Sequence, residues 1–270
     1  FLAHNALDFY KTPENSITKP AFQFKIDDLK YFSNAETFSK IKLESKDSLS
    51  LQFNTLKIYQ QLLANHLTSN NKKALAVVDI ERLKFINQNA TFNIENNAYL
   101  KALLVAQKKY NDHEISGLYS FEIATLFNNS NHSNNHTPKK AEALLISNKV
   151  IEKFPLSLGA KKCQALKAII EEKTLIITSE EFIPINKPSR ILINYKNIDS
   201  LYFNAYRITK NQLEKLNKLY NIDESITHIK SLKKVKGWSK KLKNINDYLQ
   251  HSTEVIVPEL NQGTYLILAS

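Results

Sequence analysis

Apolar residues recur at the spacing of an α-helix along the first two thirds of the chain. From Ser48 onward they stand three, four or seven positions apart, which places them on one face of a helix that Asp47 or Ser48 could cap. Six such stripes contain Leu49, Phe53, Leu56, Leu63 and Leu67; Ala76, Ile80 and Leu83; Tyr99, Leu103, Ala106 and Tyr110; Tyr119, Ile123 and Leu126; Ala143, Ile146, Val150 and Phe154; and Ala160, Cys163, Leu166 and Ile169. The pattern therefore predicts six successive helices.

Short polar connections separate these stripes. The run NNSNHSNNHTP, residues 128–138, breaks one helix, and Pro138 can open the next. Pro155 ends the fifth stripe, and Ser157 can cap the sixth helix. Such connections predict antiparallel helical hairpins. The segment AEALLISNKVIEKFPLSLGAKKCQAL is similar to part of a tetratricopeptide-type repeat.

The hydrophobic period changes from that of a helix to that of a strand near Lys173. The runs that follow are rich in Ile, Leu, Tyr and Phe: LIITSEEF, SRILINYKN, SLYFNAYRI, STEVIVPEL and TYLILAS. Residues 210–243 interrupt the strands and are interpreted as a helical, lysine-rich insertion. Helices before strands predict a segregated α+β fold, with a helical domain over residues 1–173 and an antiparallel β-sandwich over residues 174–270.

Composition narrows the classes of function. The 270 residues carry a formal net charge of +11, which is typical of nucleic-acid-binding proteins. The positive charge is almost entirely lysine, however, since arginine stands only at Arg82, Arg190 and Arg207. Because bidentate recognition of bases and phosphates favours arginine, we expect no nucleic-acid partner. A single cysteine excludes an internal disulfide, and the four scattered glycines exclude a glycine-rich phosphate loop.

The N-terminus and the length of the apolar runs indicate how the chain is processed and whether it crosses a membrane. The N-terminus shows no signal segment, and methionine is lacking throughout. No apolar run approaches the roughly 18–20 residues that cross a bilayer. We therefore expect a processed form or a fragment without a transmembrane segment.

Two C-terminal segments resemble a known family. The segment NKPSRILINYKNIDSLYFNAYRI, residues 186–208, is similar to the early strands of a macroglobulin domain, in which a Lys-Pro pair precedes a strand. The segment HSTEVIVPELNQGTYLILAS, residues 251–270, resembles the later hairpin of that domain in bacterial alpha-2-macroglobulin-like proteins. Further similarity to the helical N-terminal region of one bacterial branch lies in ALDFY, TKPAFQF, LKIYQQLLANH and VDIERLKFINQNA. The chain thus resembles the N-terminal region of a bacterial alpha-2-macroglobulin-like protein.

The resemblance implies a non-catalytic structural segment of a large envelope protein, periplasmic or secreted, that traps proteases. Its partners would be proteases or other envelope proteins, reached through the full-length protein. Family members often carry a thioester in a Cys-x-Glu-Gln-type motif, but Cys163 is followed by Gln164, Ala165 and Leu166. We therefore expect no thioester here, no enzyme activity, and no cofactor or metal. The alternative is a helical-repeat module for protein–protein interaction with an accessory β-domain.

Individual residues offer weaker candidates for chemistry. His132 and His136 have the i, i+4 spacing of a helical metal-binding pair, but no third ligand stands near them, which favours a solvated loop. Cys163 lies in an apolar stripe, which favours a small core residue over a nucleophile.

Two adjacent pairs of polar residues are further candidates for chemistry. Asp27 and Asp28 are more typical of a turn or a helix cap than of an acid–base couple. His251 and Ser252 would need a third residue, placed by the fold, to form a catalytic triad, and the sequence indicates none.

The most specific surface feature is a run of lysines without an acidic residue. It contains Lys230, Lys233, Lys234, Lys236, Lys240, Lys241 and Lys243. The preferred interpretation is a solvated insertion that Trp238 anchors to the sandwich. The functional alternative is contact with an anionic lipid head group or an acidic partner surface. The residues of that candidate contact are Lys233, Lys234, Lys236, Trp238, Lys240 and Lys241.

The last predicted strand, TYLILAS, is apolar enough to be buried on both faces. The resemblance implies a seven-stranded sandwich, and the pattern accounts for only five or six strands. We therefore expect the domain to lack a strand and to leave an open edge beside a late one. Such an edge favours association with another chain.

Overall fold

The chain forms two compact units, Phe1–Ile169 and Ile170–Ser270, each with a hydrophobic core of its own. We call them the helical unit and the strand unit. The computed structural model describes residues 2–12, 20–92, 97–129 and 139–270. The division falls close to Lys173, where the hydrophobic period changes.

The helical unit consists mainly of α-helices. Its elements are α1 (Leu2–Tyr10), a 3-10 helix (Leu29–Phe32), α2 (Ala35–Phe38), α3 (Leu51–Thr68), α4 (Lys72–Asn89), α5 (Ala98–Lys109), α6 (Ser116–Asn128), α7 (Lys140–Lys153) and α8 (Leu158–Glu171), which ends in the second unit. Neighbours along the chain pack together in the pairs α3 with α4, α5 with α6 and α6 with α7.

Polar side chains fix where these helices begin. Ser50 Oγ accepts a hydrogen bond from the backbone in the first turn of α3, so the cap predicted at Asp47 or Ser48 is wrong by a few positions. The Asp47 carboxylate instead accepts a hydrogen bond from the Phe24 amide. The cap predicted at Ser157 is confirmed, because its Oγ accepts from the backbone of α8.

The core of the helical unit is apolar and closely packed. Leu56, Leu63 and Leu103 have no exposed surface. Helices α6 and α8 approach at Gly117 and Gly159, where a Cβ added to Gly159 would lie 2.6 Å from the carbonyl carbon of Gly117. Glycine is therefore required at position 159 for this approach of two backbones.

The strand unit contains two three-stranded antiparallel sheets. Its elements are β1 (Thr174–Thr178), β2 (Ser189–Lys196), β3 (Ser200–Ile208), α9 (Lys210–Leu216), α10 (Ile222–Ser231), β4 (Lys233–Lys241), β5 (His251–Val257) and β6 (Thr264–Ala269). The strand orders are β1-β2-β5 and β4-β3-β6. Every pairing between these strands is antiparallel.

The two sheets share one hydrophobic cluster. Ile193 of β2 and Val255 of β5 belong to it from one sheet, and Phe203 of β3 belongs to it from the other. The cluster indicates that the sheets bury these faces against each other, since alternate residues of a strand point to the same side.

Helices α9 and α10 cover the opposite face of the second sheet. A separate cluster joins this face to the two helices through Tyr206, Ile208, Leu213, Leu216, Ile229, Leu232, Leu266 and Leu268. Strand β6 therefore has apolar contacts on both faces, as the composition of TYLILAS predicts.

The interpretation of residues 210–243 as a helical insertion is only partly right. Residues 210–216 and 222–231 are helical, but residues 233–241 form strand β4. Pairing with β3 over nearly its whole length provides β4 with backbone hydrogen bonds, which outweigh the local preference of a lysine-rich sequence.

The predicted fold class is confirmed at the level of α+β, with helices first and antiparallel strands in two small sheets afterwards. Among the described residues, no helix is both long enough and apolar enough to span a membrane.

Candidate functional site

The lysine-rich candidate contact lies on strand β4, at one edge of the second sheet. The register places Lys236, Trp238 and Lys240 opposite Ala205, Phe203 and Leu201, which face the shared core. Residues opposite each other in a sheet project to the same face. These two lysines therefore project toward the core side, at the margin of the sheet.

Lys234 and Lys241 project to the opposite face of the sheet. Lys241 lies opposite Ser200, on the face that bears Tyr202. A register shift between Ala205 and Tyr206 then places Lys234 on that same face. The structure therefore divides the lysines of the predicted contact between two faces and does not gather them into one patch.

Trp238 anchors β4 as the sequence predicts. Its ring stacks on Phe203 with the ring centroids 5.2 Å apart and the planes 9° from parallel. Its indole N–H is buried without a hydrogen-bond partner among the described residues. Nearby, Lys236 Nζ donates to the Glu259 carbonyl oxygen over 3.0 Å, which holds that ammonium group at the strand unit's own backbone.

The position of β4 at a sheet edge indicates a structural role for its lysines. Strand edges expose unpaired backbone groups, and lysine side chains on an edge oppose pairing with another chain. Contact with an anionic surface remains a prediction.

The helical unit contains a buried charged cluster that the sequence did not single out. Asp79 Oδ1 accepts from Arg82 Nη2 over 2.6 Å and from Arg82 Nε over 3.1 Å, and Asp79 Oδ2 accepts from the Tyr119 hydroxyl over 3.0 Å. Arg82 also donates to the carbonyl oxygens of Tyr31 and Ser33. Its side chain has no exposed surface.

This cluster is a structural element more than a reactive one. Each Asp79 oxygen and each guanidinium nitrogen of Arg82 has a partner, and the guanidinium carbon lies 4.3 Å from the centre of the Phe38 ring. Burial, together with the adjacent Asp79 carboxylate, raises the pKa of Tyr119 well above 10.0. The cluster therefore joins α4 and α6 to the segment around Ser33.

A cavity of about 490 Å³ lies beside the cluster. Its walls are mainly apolar and come from the 3-10 helix, α4 and α5, with Asp79 and Arg82 of the cluster in the wall and Lys101 as its exposed charged residue. Such a cavity suits an apolar group.

Cys163 is buried with no exposed surface, as predicted. Burial raises the pKa of its thiol to about 11, and a hydrogen bond with Ser147 only partly offsets this. The thiolate, which is the nucleophilic form, is therefore disfavoured at neutral pH.

The adjacent polar pairs have structural roles. Asp28 Oδ1 accepts from the Lys30 amide at the start of the 3-10 helix, which confirms a cap. His251 and Ser252 project to opposite faces of β5, because neighbouring residues of a strand alternate. His251 Nε2 lies 2.9 Å from Asp247 Oδ1, whereas Ser252 Oγ bonds with Asn194.

His132 and His136 lie outside the described residues. Within the described part of the chain, no three His, Cys, Asp or Glu side chains come together in a way that could hold a metal ion.

Neither family models, curated proteins nor solved structures gave a match to this chain.

Proposed function

We propose that the chain is a non-catalytic structural segment of a bacterial alpha-2-macroglobulin-like envelope protein, and that its strand unit is a macroglobulin-type sandwich. The observation that carries the proposal is the pair of three-stranded sheets around one core. The segments that resemble the family, residues 186–208 and 251–270, account for four of the six strands, β2, β3, β5 and β6.

The side chains of the strand unit favour architecture over chemistry. Its single tryptophan is stacked in the core, its histidine and serine candidates are separated, and its lysines are spread over an edge strand. In this proposal the unit supports other domains of an envelope protein that encloses proteases.

A second candidate function rests on the helical unit. Its consecutive packed helices favour a module that binds another polypeptide, and the mainly apolar cavity beside α5 is a place for an apolar side chain of that partner. In this alternative, a tetratricopeptide-like array would recruit a partner and the strand unit would be accessory.

The native coding sequence provides the first test. A reading frame that continues well beyond Ser270, with further two-sheet strand patterns, supports the macroglobulin proposal, and a stop codon near Ser270 contradicts it.

A protease assay on the encoded protein provides the second test. Trapping hinders large substrates more than small ones, so the protein should slow cleavage of a folded protein substrate and spare a short chromogenic peptide. The 270-residue chain alone, as the control, should slow neither reaction. Equal inhibition of both substrates by this chain would instead indicate direct blockage of the protease active site.

A further inference from the structure

Among the described residues, strand β6 pairs only with β3, so one of its edges has no neighbouring strand. Tyr202 and Ser270 exchange both of their backbone hydrogen bonds, N to O over 2.9 and 3.0 Å. In an antiparallel ladder such pairs recur at every second residue, so Leu268 and Leu266 also bond toward β3. The N–H and C=O groups of Tyr265, Ile267 and Ala269 therefore point away from β3, toward the free edge. These groups form a row of donors and acceptors.

The side chains along this edge are apolar and incompletely covered. Tyr265, Ile267 and Ala269 pack on the core shared by the two sheets, and Leu266 and Leu268 pack on the cluster beneath α9 and α10. All five remain half-buried, although strands buried on both faces are usually well shielded. A neighbouring strand at the free edge would cover both rows of side chains.

Charge distinguishes this edge from the opposite edge of the same sheet. Residues 264–270 contain no charged side chain, whereas β4 carries Lys233, Lys234, Lys236, Lys240 and Lys241. Two copies of a chain with a net charge of +11 repel each other at lysine-rich surfaces. The β6 edge is a place where two copies can approach without that repulsion.

We propose that a second copy of this chain pairs with β6, antiparallel and about a two-fold axis at Ile267. Ile267 would then face Ile267 of the partner subunit, and Tyr265 would face Ala269 of the partner subunit. Because the outward-pointing groups stand symmetrically around Ile267, each meets its complement in this register. The result is a six-stranded sheet continuous across two copies.

This inference rests on the backbone geometry of β6 in the 270-residue chain. In a longer chain of macroglobulin type, the seventh strand that the resemblance implies would compete for the same edge, so association is tested on the 270-residue chain and the reading frame tests the macroglobulin proposal separately. A failure of the macroglobulin proposal would leave the free edge unchanged. Conversely, a monomeric chain would leave the protease-trapping test unaffected.

The test is sedimentation of the full chain over a concentration series, comparing the wild type with Ala269→Pro. Proline at 269 removes an N–H that β3 does not use, and Leu268 before it already has the extended backbone that proline requires. We expect the wild type to reach twice the mass of one chain at high concentration, and the variant to require at least about tenfold more protein, equivalent to about 1.4 kcal/mol.

Ser239→Pro is the matched control. Ser239 lies opposite Tyr202, whose backbone groups bond with β6, so the Ser239 N–H points to the free edge of β4. This variant should associate like the wild type. If both proline variants lose association equally, or if the wild type stays monomeric throughout, the proposal is overturned.

Hydrogen exchange keeps the proposal testable if Ala269→Pro fails to fold. In the wild type, protection of the Tyr265, Ile267 and Ala269 amides should rise with protein concentration, while that of Ser239 should not. Protection that is already high in the monomer would mean that another segment of the same chain covers the edge, which contradicts pairing of two copies.

Discussion

An ion pair between arginine and a carboxylate is buried in the helical unit and exposed to solvent in the strand unit. In the helical unit, Arg82 Nη2 and Asp79 Oδ1 lie 2.6 Å apart, with side-chain exposures of 0% and 4%. In the strand unit, Arg190 Nη1 and Glu254 Oε2 lie 2.7 Å apart, with exposures of 71% and 59%. Since the distances are nearly equal, solvent and the surrounding hydrogen bonds determine how much each pair contributes.

The comparison shows that a short distance alone says little about stability. Water screens the exposed pair and solvates either partner when the other is removed. In the buried pair, each ion depends on the other and on fixed backbone carbonyl groups, so removing one leaves a charge without compensation. The helical unit should therefore be far more sensitive to loss of its pair.

Asp79→Asn should have the largest effect. The variant leaves the Arg82 guanidinium buried without a counter-charge, which should destabilise the helical unit by about 3–5 kcal/mol. Denaturant unfolding followed by far-UV circular dichroism, which is dominated by the helices, measures the loss. Fluorescence of Trp238, the single tryptophan, reports the strand unit, and its transition should remain at the wild-type midpoint.

A double variant, Asp79→Leu with Arg82→Met, is the control for this result. Replacing both ions by apolar residues of similar size should recover much of the lost free energy of unfolding. A loss below about 1 kcal/mol in Asp79→Asn would show that water reaches Arg82, and the contrast between the two units would then disappear.

The sequence alone predicts this difference only in part. Helical periodicity identified the apolar stripe of α4, including Ala76, Ile80 and Leu83, because burial of one face follows directly from spacing. Asp79 and Arg82 lie beside that stripe, so the sequence pattern assigns them to the surface of the helix. Their burial depends on Tyr31, Ser33 and Tyr119, which only the tertiary fold brings to them. The rarity of arginine in this chain was the one available signal.

The sequence did not predict strand β4, and the reason is related. Its lysines and Gly237 disfavour a strand when considered locally, and alternation of apolar residues is nearly absent. The strand forms because β3 offers a complete row of backbone partners and because Trp238 stacks on Phe203. Both are contacts between segments distant in sequence, which composition and period do not encode.

Alkaline pH should destabilise the helical unit relative to the strand unit, with a smaller effect than Asp79→Asn. Burial raises the pKa of Tyr59 above 10.0, and its buried hydroxyl has no hydrogen-bond partner in the part of the chain that the structure describes. Well below pH 10.0 the tyrosine is neutral in both states. Above it, the unfolded chain releases the proton more readily, so stability falls as the pH rises toward the folded-state pKa. The expected loss from this group is about 1 kcal/mol over the first pH unit above 10.0.

Tyr59→Phe should abolish that component of the pH dependence, measured by circular dichroism on either side of pH 10.0. Tyr220→Phe is the matched control, because Tyr220 in the strand unit is fully exposed. Identical alkaline profiles for the wild type and Tyr59→Phe would show that the hydroxyl is accessible to water.

The smallest effect should come from the exposed pair. Arg190→Ala, Glu254→Ala and the double variant form a cycle whose coupling energy isolates the ion pair from other losses. Trp238 fluorescence, which reports the unfolding of the strand unit, should give a coupling of about 0.2–1 kcal/mol that decreases with added salt. The two residues connect β2 and β5, which also share an antiparallel ladder, so register persists without the pair. A salt-insensitive coupling comparable with the loss in Asp79→Asn would mean that distance matters more than solvent exposure, and would reverse the conclusion drawn from the two units.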